Sequence, residues 1–328
     1  MSNWIFVTGG AGYIGSHICA RLKEDSNNKV LLIDINGKLY PHATQYCDLF
    51  ADEDFSGQLV NEVLLRYRPS TVIHAAEDNK INFSDGPYES WKNNHIKNLE
   101  FMNACAKAGV KKFIYLSSDS VYSNSANILK ETDKVYPNGC LSRNKLSTEF
   151  SLSDFYVYYG MNNISFRISN VFGCNQKYNL GPLYKSHGVQ YNIFESLVLN
   201  KPFEIYGSDW NTKDGTLVRD FLHVDDVVDA IISSITWLDT NNGSHFMNLS
   251  SGVGMSLNEL KSLIESTLSV NINMIYAGRV PAKPDIRILD NSLIKSKLAW
   301  KCKRDYNDAI RSMFQWYTGN IFKSICYS

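Results

Sequence analysis

Short apolar runs alternate with amphipathic ones through the first half of this 328-residue chain. The runs at 4–8, 30–34, 71–75, 112–118 and 163–168 are compact and predict strands. Between them, 15–24, 56–67, 90–109 and 142–159 carry helical spacing, with Ile14, Ile18 and Leu22 forming one apolar face. Such alternation calls for a parallel sheet with right-handed crossovers and helices on both faces, and ligands collect at the carboxyl ends of its strands. From about residue 174 the pattern loosens: 174–190 is rich in Gly, Asn and Lys, and 207–217 is polar with turn formers. A helix at 224–239, a strand at 245–249 and a helix at 256–267 follow. The expected architecture is α/β, a doubly wound parallel sheet with a smaller C-terminal α/β lobe closing a substrate cleft. Residues 1–173 and 174–328 are the expected division, with some later segments returning to the first part. There is no internal repeat and no low-complexity tract.

The first strand enters the first helix through Thr8-Gly9-Gly10-Ala11-Gly12-Tyr13-Ile14-Gly15. Gly10, Gly12 and Gly15 meet the pattern G-x-G-x-x-G, in which absent side chains permit a tight turn, close pyrophosphate approach and tight helix packing. Phosphate would sit on the free N–H groups at the helix start. A glycine cluster alone marks any tight turn, but the second strand ends in Asp34, at the spacing where an acid accepts hydrogen bonds from the adenosine ribose hydroxyls. No Arg follows Asp34 directly, which favours NAD over NADP. The first part is therefore expected to be a Rossmann-type NAD-binding domain, with Gly9, Gly12, Tyr13, Ile14, Gly15 and Asp34 at the cofactor.

Composition removes other classes. Lys+Arg and Asp+Glu both number 33, so no net field draws nucleic acid or an acidic membrane surface. The seven cysteines, at 19, 47, 105, 140, 174, 302 and 326, form no C-x-x-C pair and have no matching histidine spacing. Reduced thiols and no metal site are expected. The N-terminus has no signal-peptide pattern and no apolar run is long enough to span a bilayer, so the expected location is cytoplasmic.

Further motifs follow in order: His74-Ala75-Ala76, Asn93-Asn94, Ser117-Ser118-Asp119-Ser120-Val121-Tyr122, Lys145, Arg167-Ile168-Ser169-Asn170-Val171-Phe172-Gly173, and Asp214 to Asp226 around Arg219-Asp220. Together they resemble the extended short-chain dehydrogenase/reductase family of nucleotide-sugar epimerases and dehydratases, over nearly the whole chain. The segment Tyr206 to Thr216 before Val218-Arg219-Asp220 is similar to the UDP-hexose 4-epimerase subgroup. In that family a Ser or Thr, a Tyr and a Lys four residues beyond the Tyr remove a sugar hydroxyl proton while hydride leaves the carbon. Ser118 matches the Ser and Lys145 the Lys, which also holds the nicotinamide ribose.

The Tyr is absent: Leu141 stands four residues before Lys145, and leucine can neither give nor take a proton. Ser118, Asp119, Lys145 itself and Tyr122 remain as replacement bases. Asp119 matches the acid of the family's 4,6-dehydratases, but Ser120 replaces their following Glu. Dehydration thus lacks its base, and chemistry confined to C4 is expected.

For the substrate, the resemblance implies that Arg219 pairs with a phosphate, Asn170 donates to the diphosphate, and Arg279 and Asp285 make late phosphate and ribose contacts. For Arg219 the bland alternative is a salt bridge to Asp220 or Asp225. Ala75, Ala76 and Asn94 are implied to touch the cofactor, and Asp48 to bind the adenine amine, although the stretch from Asp34 to Asp48 is shorter than in 4-epimerases. A homodimer is implied, with Phe101, Met102, Phe150 and Tyr156 offered at its interface, although core packing explains these four residues equally well.

The expected function is an NAD-dependent nucleotide-sugar oxidoreductase acting at C4, of 4-epimerase type with UDP favoured, in carbohydrate or polysaccharide biosynthesis. Two rivals stand beside it: a one-way C4 dehydrogenase of a UDP- or GDP-sugar that releases the 4-keto sugar, and a non-catalytic NAD and nucleotide-sugar binding protein.

Overall fold

A computed structural model describes residues 3–35, 37, 44–78, 86–125, 128–182, 188–279 and 283–325, without the side chains of 321–325. Cys326 and residues 280–282, between Arg279 and Asp285, lie outside the described residues.

Seven strands form one parallel sheet: β1 (Asn3–Thr8), β2 (Asn28–Ile33), β3 (Leu49–Ala51), β4 (Thr71–His74), β5 (Lys112–Ser118), β6 (Asn162–Ile168) and β10 (Ser244–Leu249). Their order is β10-β6-β5-β4-β1-β2-β3. From β1 the chain builds outward to β2 and β3, then returns to β1's other side with β4, so the order reverses between β1 and β4. A crevice opens there at the carboxyl ends of the strands.

Side-chain alternation divides each buried strand between two helical layers. Ile5 and Val7 of β1, with Ile114 and Leu116 of β5, face α1 (Tyr13–Leu22) and α6 (Val224–Trp237) through Ile18, Leu22, Val227 and Ile231. Phe6, Phe113 and Tyr115 face α2 (Gln58–Tyr67), α3 (Lys97–Ala108) and α4 (Cys140–Tyr159) through Val60, Leu64, Phe101, Met102 and Leu152. Of the two readings the sequence left open, Phe101 and Met102 take core packing, at 1% and 0% exposed, whereas Phe150 is exposed. The helix predicted over 90–109 is divided: a short helix Gly86–Ser90 passes through a π turn, Trp91–Ile96, before α3. Within that turn Asn94 accepts from Asp78 N at 3.0 Å and donates to Ser90 O. The widened turn lets one amide hold the chain leaving β4.

A second core, including Phe172, Phe194, Phe203, Ile205, Trp210, Phe221, Leu257 and Ile264, joins β8 (Phe203–Tyr206), β9 (Val218–His223), α5 (Val189–Val198), α7 (Leu257–Leu268) and α8 (Tyr306–Ile325). β9 pairs with β7 (Asn170–Phe172), β11 (Gly254–Ser256) and β13 (Ile286–Arg287), and β8 with β12 (Met274–Ala277). Both β10 and α6 come from beyond residue 174, yet β10 pairs with β6 and α6 packs on α1. Among the described residues no helix is long and apolar enough to cross a membrane.

Candidate functional site

The glycine turn is enforced by close approach. Gly9 has φ 66°, and a Cβ there would lie 2.6 Å from Ala76 N; one on Gly15 would lie 2.1 Å from Gly9 O. Gly12 N donates to Gly9 O at 3.0 Å, and α1 then begins with no side chain capping it. Its first N–H groups, of Tyr13 and Ile14, have no intrahelical acceptor. The Tyr13 side chain turns away: its hydroxyl donates to Gly173 O at 2.5 Å, its ring meets Tyr191 edge-on, and burial pushes its pKa well above the ordinary phenol value. What this residue offers a cofactor is its backbone.

Asp34 is buried just beyond β2 and accepts from Ala11 N at 3.0 Å, so its carboxylate braces the turn. Ala75 N donates to Thr8 O at 3.1 Å, and Thr8 bonds His74, whose other ring nitrogen meets Asn98. Burial lowers His74 to about 4, which keeps the ring neutral in this brace. A cradle that any Cβ would fill, an uncapped helix start and a carboxylate at the neighbouring strand end fit a dinucleotide.

Asp48 does not belong to this edge. It precedes β3 and accepts from Val30 N at 2.8 Å, at the amino end of β2, with Lys23 and Lys29 at 2.8 and 3.0 Å. Burial is opposed by these lysines and by the Val30 amide, and its carboxyl falls to about 2. The acids at the carboxyl end of β3 are Asp52 and Glu53. Register alone could have shown this, since Leu49 pairs with Leu31 and Ala51 with Ile33.

On the other side of the crevice, Ser118 ends β5, caps the following turn by accepting from Ser120 N at 3.1 Å, and donates to Asp119 Oδ1 at 3.3 Å. Lys145 reaches from α4 to Leu116 O at 2.9 Å and to Glu77 Oε1 at 2.8 Å. The pair is enclosed, with side-chain exposures of 11% for Lys145 and 18% for Glu77. Burial alone would lower the Lys145 pKa, but Glu77 and Tyr115 outweigh it and hold the group above its ordinary value. Lys145 is thus an ammonium and no proton acceptor.

Tyr122 is also withdrawn. It is 1% exposed, its hydroxyl donates to Asn248 Oδ1 at 2.6 Å, and burial raises it to about 12. Leu141 lies in the first turn of α4, one turn before Lys145, with nothing to donate. Glu77 was missed by reading motifs, although it directly follows His74-Ala75-Ala76. In the β4–β5 register His74, the last residue of β4, lies opposite Tyr115, so Glu77 leaves the sheet at the same carboxyl edge at which Ser118 ends β5.

Arg219 of β9 donates to Val218 O at 2.7 Å and Pro284 O at 2.9 Å. Among the described residues it forms no ion pair with Asp220 or Asp225. Asp220 is occupied by Ser251 N, Ser251 Oγ and Gly252 N, and Asp225 by Asn175. Burial brings Arg219 down to about 10, with Arg287 adding repulsion and Asp119 opposing it. Lys283 is lowered by burial and by Arg219, and Arg287 by burial against the pull of Asp119. Three crowded cations gain from an anion between them, and Asp119, itself pushed upward by burial, is their carboxylate neighbour.

Lys283 and Arg287 were not singled out by sequence; their charge sum becomes visible only once β13 lies beside β9. Asn170 on β7 is half-buried and donates to Asp220 O at 3.4 Å. Asp285 accepts from Asn211 N at 3.2 Å. Arg279 is further out, paired with Asp209 at 2.6 Å and lying 4.5 Å over the Trp210 ring. Among the described residues no group of three or more His, Cys, Asp or Glu could hold a metal.

Comparison with known proteins agrees with this geometry. A UDP-glucose 4-epimerase of Rhizobium meliloti is 27% identical over 321 residues, 97% of this chain and 98% of its own length. One from Azospirillum brasilense is 28% identical, covering 95% of this chain and 91% of its own. The crystal structure of a UDP-glucose-4-epimerase from Stenotrophomonas maltophila, with bound NAD and formylated UDP-arabinopyranose, superposes with a TM-score of 0.89 at 25% identity, over 99% of this chain and 100% of that one. The Brucella ovis UDP-glucose 4-epimerase in complex with NAD gives 0.88 at 26% identity, over 96% and 98% of the two chains. The model of the NAD dependent epimerase/dehydratase family matches residues 5–250. That span runs from the first strand of the seven-stranded sheet to its last, with the crevice between, and the chain belongs to the NAD-dependent epimerase/dehydratase family.

Proposed function

We propose that this chain is an NAD-dependent nucleotide-sugar oxidoreductase acting at C4 of a hexose-like ring, of 4-epimerase type, with UDP as the favoured nucleotide. The observation that carries this reading is that Lys145 reaches Leu116 O near the carboxyl end of β5, the strand that Ser118 closes, while the glycine cradle packs on Ala76 just past the end of the neighbouring β4. The relatives' shared name, UDP-glucose 4-epimerase, supports the substrate class. Bound NAD supplies the hydride acceptor and, in an epimerase, the hydride's return.

The chain's own residues divide the work. Gly9, Gly12 and Gly15 give the pyrophosphate room, the N–H groups of Tyr13 and Ile14 bind it, and Asp34 takes the adenosine ribose. Asp52, at the proper end of β3, takes the adenine role first given to Asp48. Ala75, Ala76 and Asn94 shape the nicotinamide side, and Lys145 holds its ribose. Ser118 binds the sugar hydroxyl. Arg219, with Lys283 and Arg287 adding positive field, receives the diphosphate, helped by Asn170; Arg279 and Asp285 close the nucleotide end. Residues 1–173 form the NAD domain, and 174–328 mainly the substrate lobe. A homodimer forms through α3 and α4, where Phe150, Val157 and Tyr158 are exposed. The location is cytoplasmic.

The test is near-ultraviolet absorbance of the purified protein with a panel of UDP-, GDP- and TDP-sugars, paired with product analysis. A C4-inverted product without net NADH supports the epimerase. Lasting NADH would replace it with a one-way dehydrogenase, the rival that Leu141 makes credible, since an epimerase must return a proton to the sugar from either orientation. Nucleotide-sugar binding with neither outcome would leave a binding protein.

A further inference from the structure

Four groups stood as substitutes for the missing tyrosine, and two of them, Lys145 and Tyr122, are closed by their partners. Ser118 needs a base of its own, because a serine hydroxyl passes a proton on but does not keep it. Asp119 takes the Ser118 hydroxyl, yet its charge neighbours are Arg287 and Arg219, on the diphosphate side. Glu77 has the opposite neighbourhood. Its carboxylate is 2.8 Å from the Lys145 ammonium, and it directly follows Ala76, which packs on Gly9 of the cofactor cradle. Glu77 follows the carboxyl end of β4, and Ser118 stands at the carboxyl end of β5, the adjacent parallel strand.

We propose that Glu77 is the proton acceptor that replaces the absent tyrosine, with Lys145 as its charge partner and Ser118 holding the same sugar oxygen. This rests on the C4 oxidoreductase reading. As the sugar C4–H bond breaks and its electron pair leaves as hydride for the oxidised nicotinamide, the hydroxyl O–H bond breaks toward a Glu77 carboxylate oxygen and C4=O forms. In the return half-reaction the Glu77 carboxyl gives that proton back to the sugar oxygen as hydride rejoins C4. The Lys145 ammonium offsets the carboxylate's charge in the resting site and is left beside a neutral carboxyl during the keto stage.

One readout needs no sugar. A carboxylate beside the nicotinamide favours the positively charged oxidised ring over the neutral reduced one, and Glu77→Gln leaves Lys145 uncompensated there. Titration of the purified full chain with NAD and with NADH should show the preference for the oxidised form falling at least tenfold in Glu77→Gln, with UDP affinity unchanged as the measure of an intact lobe. An unchanged preference overturns the placement of Glu77, whichever sugar is the substrate. If the Gln variant fails to bind UDP, Glu77→Asp keeps the charge and is expected to keep the preference for the oxidised form; its loss overturns the proposal.

The second readout is hydride transfer in a single turnover with the best nucleotide sugar. Glu77→Gln should lose at least a hundredfold, and Glu77→Gln/Leu141→Tyr should recover tenfold or more, because the phenol returns a proton acceptor one helical turn from Lys145. A purely structural ion pair would not be rescued in this way. Retention of a tenth of the rate in Glu77→Gln, or a greater loss in Asp119→Asn, overturns the proposal while leaving the C4 reading in place. Absence of NAD binding by the unaltered chain would instead overturn that reading, and this proposal with it.

Discussion

The two ends of the crevice obey different rules. At the glycine turn the constraint is steric: backbone approaches backbone so closely that no side chain fits, and only a few residue types satisfy it. At the ends of β4 and β5 the constraint that the proposed reaction sets is chemical, a charge and a proton acceptor near a sugar oxygen, and several residue types can supply these from different positions. The first end keeps its glycines in sequence order. The second has a leucine at the tyrosine position and a glutamate, 68 residues before the lysine, in contact with it. Cofactor binding is thus written in local sequence, whereas proton transfer is written in which strand ends meet.

The strongest way to break this comparison is at the chemical end. Lys145→Met should reduce turnover about a thousandfold while UDP affinity stays within twofold, since general acid–base and positioning groups are worth roughly 10²–10⁴ in rate. An active variant, read by product formation under saturating sugar, would remove Lys145 from the site. At the steric end, Gly15→Val places a Cβ 2.1 Å from Gly9 O and should weaken NAD about a hundredfold in a fluorescence titration with NADH. Near-normal binding would mean that the turn can relax and that its glycines are not steric requirements.

Smaller effects sharpen the boundary of the cofactor edge. Asp52→Asn should weaken NAD about tenfold and Asp48→Asn not at all, compared in the same titration. Asp48 instead supports folding. Its folded pKa, about 2, lies below its unfolded value, so its contribution is present above about pH 4 and is lost as pH falls toward 2. Asp48→Asn should therefore lower stability by about 2 kcal/mol at neutral pH and leave it unchanged near pH 2, as read by denaturant melts.

Much of the first layer was legible because its signals are local. Val30-Leu31-Leu32-Ile33 needs no partner to read as a buried strand, and the glycine spacing needs none to read as a phosphate turn. β3 failed for the same reason in reverse: three residues with Leu49 and Phe50 exposed carry almost no periodicity, so the end of the strand that holds the acid could not be located. Glu77 reads as a loop residue, as it is in the fold, and only the packing of α4 brings Lys145 to it. Phe101 and Met102 are indistinguishable by type from interface residues; only their place beneath the sheet shows them to be core. Arg219 was named from its motif, but its neighbours Lys283 and Arg287 depended on a two-residue strand.

The return of the chain to the sheet edge also orders its biosynthesis. Until β10 emerges from the ribosome, β6 presents an open row of backbone donors and acceptors, and until α6 emerges the apolar face of α1 has no cover. A nascent chain stopped near residue 173 would hold its glycine turn on an unfinished, adhesive sheet. The cofactor site therefore cannot mature ahead of the part of the chain that receives the sugar.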